Sequence, residues 1–172
     1  MKLIWGCMFF YPTFYVVGIF PLITALPLSP AAALACGALF VAGWMLTRGA
    51  NLQKFACKRA ACFKDAAGAL WWGRLVSMET LSGSGGRILV GGFWGASRHI
   101  NYLGEICQAI ALSLPGVLAG ASLVPLLYPL YYVLLFVPRA QDDDEVCRKK
   151  YGDKLWDAYT KRVPSRIVPG VW

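Results

Sequence analysis

Charge is absent from residues 3–47 and again from residues 106–138. Nothing else in the chain limits its fold so strongly. A transmembrane helix needs about 20 mostly apolar residues. The first run therefore predicts spans at residues 3–26 and 30–47, parted by Pro27 and Pro30 with Ser29 between them. The second predicts two shorter spans at 106–118 and 123–137, with Pro115-Gly116 and residues 119–122 read as the hairpin turn. Only 15% of the 172 residues are charged, against about a quarter in a soluble domain. The fold class is all-α, a polytopic transmembrane helical bundle.

The basic residues orient it. Arg48, Lys54, Lys58, Arg59 and Lys64 follow the second span, and Arg148, Lys149, Lys150, Lys154, Lys161, Arg162 and Arg166 crowd the tail. The positive-inside bias puts the loop 48–88 and the tail 139–172 in the cytoplasm, with two spans between them. The net charge of +8 thus has a membrane explanation, and no nucleic-acid partner is expected. In the tail, residues 141–145 read as the acidic start of a helix. Val146, Tyr151 and Leu155 follow on one face, and Gly152 weakens the helix. A second helical segment from Asp153 to Arg162 ends at Val163-Pro164. Taken alone, the tail reads as an amphipathic helix lying on membrane lipid. The apolar N-terminal run continues past Pro12 and Pro21, unlike a signal peptide. Cys57 and Cys62 lack a second ligand pair and His99 is the only histidine, so neither a metal site nor a disulfide framework is expected.

Residues 91–105 break the apolar pattern. Arg98, His99, Asn101, Tyr102 and Glu105 supply a permanent cation, an imidazole, an amide, a phenol and a carboxylate beside Trp94. Polar groups at membrane depth are costly and mark a functional site by default. Arg139 and Asp143, four apart, share a helix face. Arg and Lys suit phosphates. These residues point to an enzyme that binds an anionic cofactor from the cytosol and acts on a lipophilic substrate. By contrast, the Ser82-to-Gly86 segment reads as a flexible connector, since no P-loop lysine follows it.

Five segments carry a resemblance: residues 11–15 (Tyr-Pro-Thr-Phe-Tyr), 48–54 (Arg-Gly-Ala-Asn-Leu-Gln-Lys), 89–105, 143–152 and 163–169. In that order they resemble the sterol reductases that reduce ring or side-chain double bonds with NADPH, namely the C14, C7 and C24(28) enzymes and the reductase-like domain of lamin B receptor. The patterns at 98–102 and 148–169 look most like the C14 enzymes, with the C7 (delta(7)) reductases second. Family members resemble ten-span proteins of about twice this length or more, so the chain looks like a C-terminal half, with a missing N-terminal half or a partner chain expected.

The resemblance implies a cytoplasmic-face NADPH pocket. Lys54, Lys58 and Arg59 would address its phosphates, Lys58 standing where relatives commonly carry Arg. Trp94, Arg98 and Asn101 would line the nicotinamide and ribose side, with His99 and Tyr102 beside them. Arg139, Asp143 and Tyr151 would close the pocket from the tail. It implies an ionic reduction of a sterol double bond, C14=C15 first, in which a protein acid protonates the alkene. Asp143, Tyr151 and Tyr15 are the candidate relay. Its home would be the endoplasmic reticulum membrane. Two rivals stand beside it: an S-adenosylmethionine-dependent membrane methyltransferase of the isoprenylcysteine carboxyl type, which shares an Arg-His-x-x-Tyr element, and a non-catalytic scaffold that binds sterol or NADPH.

Overall fold

The computed structural model describes residues 13, 16, 27–63, 76–119 and 122–172, excepting the side chains of 60–63. Tyr15 and nearly all of the predicted span at 3–26 lie outside the described residues. The chain forms two compact units, one from Met1–Trp44 and Glu105–Leu135, the other from Met45–Gly104 and Phe136–Trp172.

Helix α1, Pro30–Phe63, begins where the local chemistry favours it. Ser29 Oγ accepts from the Ala32 amide at 3.3 Å, and Pro30 takes the first helical position, where its missing N–H is no loss. The helix does not stop at Thr47, where the sequence predicted a loop. It runs on because Ala50, Gln53 and Ala56, three apart, form a buried stripe that packs into the second unit. Among the described residues, Pro30–Arg59 is the one helix long and apolar enough to cross a membrane.

In the first unit, large apolar side chains such as Leu34 (75% exposed) and Leu134 (66%) face outward. Helix α3, Ile100–Leu118, passes through Pro115, correcting the expected break at Pro115-Gly116. Pro115 sits in the last turn, where Ser113 Oγ bonds the Ala109 carbonyl and the Ala119 amide closes on Pro115 O at 3.0 Å. A 3-10 turn at Val124–Leu126 leads into helix α4, Leu127–Tyr151. The acidic run at 141–145 therefore lies in mid-helix, and the expectation that it begins one fails. Residues at the helix centre feel little of its dipole.

The second unit holds the short helix α2, Phe93–Ala96, and helix α5, Asp153–Arg162. Gly152 separates α4 from α5 at a φ of 81°, open to glycine at little strain. Strands β1, Thr80–Gly83, and β2, Gly86–Leu89, pair antiparallel from Thr80↔Leu89 to Gly83↔Gly86. The Ser82-to-Gly86 connector is thus a hairpin turn. Leu81 faces Ile88 across the ladder, and Ile88 and Val90 pack with Leu155, Trp156, Tyr159 and Val163. That core corrects the surface-helix reading of the tail: the apolar face of α5 is filled by protein, and Val146, 62% exposed, does not share it.

Candidate functional site: a cationic cavity in the second unit

Three elements are fastened together before any cavity appears. Gln53 of α1, wholly buried, donates from Nε2 to the carbonyls of Ser77 (2.7 Å) and Gly91 (3.0 Å), and its Oε1 accepts from the Phe93 amide at 3.2 Å. Trp94 Nε1 bonds the Ala50 carbonyl at 2.8 Å. At the other end, residues 163–167 form a strap along 97–99. The amides of Arg98 and His99 donate to Ser165 O (3.0 Å) and Arg166 O (2.7 Å), and Ser97 Oγ donates to Ile167 O at 2.8 Å.

Asp144 sits beneath this strap. Its Oδ2 accepts from Arg98 Nη2 and Arg166 Nε, each at 3.0 Å, and its Oδ1 lies 3.6 Å from His99 Nε2. Burial would raise the carboxyl, but the facing imidazole and the two guanidinium groups outweigh it and hold it below the usual carboxylate range. Arg98, 7% exposed, also donates from Nη1 to the Val163 and Pro164 carbonyls. Asp144 was missed in the sequence. Its signal lies in helical spacing, since Tyr132, Phe136, Ala140 and Asp144 recur every four residues and all four are buried.

A cavity of about 270 Å³ opens above these supports. Helix α1 contributes Lys54, Cys57 and Lys58, and β2 contributes Arg87, Ile88 and Leu89. Trp94, Arg98, His99, Asn101 and Tyr102 form a second wall, and Asp143, Cys147 and Tyr151 a third. Trp156 and Tyr159 of α5 complete it. Burial pushes the thiol of Cys147 and the phenol of Tyr159 up, so both are neutral at physiological pH.

The geometry of the wall is specific. Lys54 Nζ lies 4.4 Å from the Trp94 ring centroid, a cation–π contact. His99, Tyr102 and Phe136 stack in sequence, with centroids 5.0 and 4.3 Å apart. Tyr102 donates from its hydroxyl to Asp143 Oδ2 at 2.6 Å and accepts from Arg139 Nε at 3.2 Å. Burial, with Asp143 as acceptor, pushes the phenol up to about 12. Asn101 Oδ1 is buried without a hydrogen-bond partner among the described residues, which leaves an acceptor for a ligand to meet.

Of the residues singled out in the sequence, Lys54, Lys58, Trp94, Arg98, His99, Asn101, Tyr102, Asp143 and Tyr151 line this cavity. Arg139 reaches it through Tyr102. Arg59 is not part of the lining, and Tyr15 is outside the described residues. The phenol that meets Asp143 is Tyr102, placed by the sequence on the cofactor wall. Tyr151, expected in the acid relay, instead has Lys150 Nζ 5.0 Å from its ring centroid.

A cavity with cations on one wall, a phenol–carboxylate pair on another and aromatic rings throughout agrees with the sequence resemblance. The model of the ergosterol biosynthesis ERG4/ERG24 family matches residues 1–172. The mouse delta(14)-sterol reductase TM7SF2 is 41% identical over 145 residues, covering 83% of this chain and 31% of its own length. The delta(14)-sterol reductase of Arabidopsis thaliana is 38% identical over 135 residues, 78% of this chain and 32% of the relative. The 7-dehydrocholesterol reductase of Xenopus laevis is 31% identical over 175 residues, 98% of this chain and 36% of the relative. The chain thus spans about a third of the length of these curated relatives. With its whole length matched by the family model, the chain belongs to the ergosterol biosynthesis ERG4/ERG24 family of sterol reductases.

Proposed function

We propose that this chain provides the NADPH site of a reductase acting on a sterol ring double bond, C14=C15 first and C7 second, in the multi-pass setting of the endoplasmic reticulum membrane. The loop 48–88 and the tail face the cytosol, whence the cofactor enters, and the sterol arrives from membrane lipid. A longer chain or a partner carrying the upstream half would complete the bundle. The observation that carries this reading is the cavity itself: Lys54, Lys58 and Arg87 line it together with the Tyr102–Asp143 pair.

The residues present fit the dinucleotide. The cations match its phosphates, and the unpartnered Asn101 Oδ1 accepts from an amide such as the nicotinamide carboxamide. When bound, NADPH supplies the reducing equivalent. The chain's own part is the proton. Tyr102 and Asp143 hold one between two oxygens 2.6 Å apart, and the Arg139 guanidinium stabilises the anion left when that proton moves to the alkene. The low-dielectric aromatic surroundings keep water from the resulting cation.

A titration of the detergent-solubilised chain tests this, with NADPH run beside S-adenosylmethionine. Saturable binding of NADPH alone is expected. Lys54→Ala, which removes a cation of the lining, should weaken it about tenfold or more through loss of a charge-assisted contact. Binding of the methyl donor instead would replace the reading with a methyltransferase. NADPH binding without turnover of a sterol diene, upstream half restored, would identify a scaffold.

A further inference from the structure

The β-hairpin brings to the cavity a cation that neither the motifs nor the spacing of the sequence singled out. Arg87 stands on β2 opposite Ser82, and its backbone is fixed from three sides. Ile88, the next residue, is buried in the core with Trp156 and Tyr159. At the turn, a Cβ on Gly85 would collide with the Tyr151 carbonyl, so the hairpin tip rests directly on the end of α4. A Cβ on Gly83 would come within 3.1 Å of the Leu155 side chain of α5. The backbone that carries Arg87 is therefore held by close packing against α4 and α5.

What it faces is unbalanced charge. Lys58 lies one helical turn beyond Lys54, so both project from the same face of α1. Lys54, Cys57 and Lys58 line the same cavity as Arg87. Among the described residues neither Lys58 nor Arg87 forms an ion pair. Lys54 is engaged with the Trp94 ring, whereas Lys58 and Arg87 have no such contact. Among the described residues the cavity's lining holds one carboxylate, Asp143, already bonded to Tyr102, so Lys58 and Arg87 leave an excess of positive charge that favours a dianion. A phosphomonoester is a dianion near neutral pH, and the fork of an arginine binds two of its oxygens at once.

We propose that Arg87 is a specificity-determining residue which, with Lys58, binds the phosphomonoester by which NADPH differs from NADH. This rests on the NADPH reading above and adds the residue that enforces it.

Equilibrium titrations of the full chain in detergent, with NADPH and with NADH, test the assignment. The parent should prefer NADPH. Arg87→Ala should lose about 10- to 100-fold in NADPH affinity while its NADH affinity stays within about twofold, and Arg87→Lys should recover part of the loss. Parallel weakening of both dinucleotides, an unchanged NADPH affinity, or a parent without preference would overturn the role of Arg87 and leave the cofactor site standing. A parent that binds neither dinucleotide would overturn the site and this role together. Because Arg87 is exposed, the variants should keep the parent's melting temperature, which separates a lost contact from a lost fold.

Discussion

Asp144→Ala should melt roughly 6–20 °C below the parent chain, the shift produced by a loss of about 3–5 kcal/mol in a domain of this size. The size of the effect comes from what remains after the carboxylate is gone. Arg98 is 7% exposed and keeps its charge. Its Nη1 still reaches two carbonyls, but Nη2 loses its hydrogen bond to the carboxylate and the cation is left uncompensated. Arg166 and His99 lose the same anchor, so the 163–167 strap loosens with it. Arg166→Ala should cost far less, about 1 kcal/mol, because that side chain is 34% exposed. Thermal melts of the three chains in one detergent decide the matter, and equal shifts for Asp144→Ala and Arg166→Ala would refute the central place of the carboxylate. Acid provides a second reading. Asp144 has its folded pKa depressed by His99, Arg98 and Arg166 against the opposing effect of burial. Its contribution is therefore complete above the unfolded value of about 3.9 and is lost as pH falls through the folded value. Asp144→Asn should flatten that acid limb.

Gln53→Leu should destabilise by about 3 kcal/mol or more, since it leaves Ser77 O, Gly91 O and the Phe93 N–H without their partner. An unsatisfied buried group costs about 1–3 kcal/mol. Gln53→Glu separates the two ends of the amide. It retains an acceptor for Phe93 but turns a carboxylate oxygen towards two carbonyls, so it should be no better than leucine. The neighbouring Gly92, at a φ of 60°, has no room for adjustment, because a Cβ there would strike Val76 and the Gln53 amide. The slack introduced by Gln53→Leu must therefore appear in residues 91–94, which set the position of Trp94. If the proposed NADPH site is correct, affinity for NADPH should fall together with the melting temperature. A stable variant with full affinity would show that the Trp94 wall is held by other contacts.

These two residues also show what a sequence conceals. The apolar runs, the Asp153-to-Arg162 helix and the Arg139–Asp143 face were legible because each rests on local spacing. Gln53 was quoted only as one letter of a motif. Its role depends on contacts 24 to 40 residues away in sequence, for which helical periodicity has no signature. Asp144 was hidden by its company, since an acidic run of four reads as a helix start, and only the buried every-fourth-residue stripe assigns Asp143 and Asp144 to different partners. Arg87 lay in the loop 48–88, one residue past the segment read as a connector, because strands of four residues flanking a Gly-Ser-Gly-Gly turn carry too little apolar alternation to be recognised.

The strap has a consequence for the order of events during synthesis. Ser97, Arg98 and His99 acquire their closing partners only from residues 163–167, and the Ser97 contact alone spans 70 residues. A ribosome therefore releases Lys54, Trp94 and Tyr102 well before the segment that completes their surroundings exists. Until then Arg98 lacks the Val163 and Pro164 carbonyls that its Nη1 meets in the folded chain. The walls of the cavity are therefore closed only after residues 163–167 have been made and have docked along 97–99.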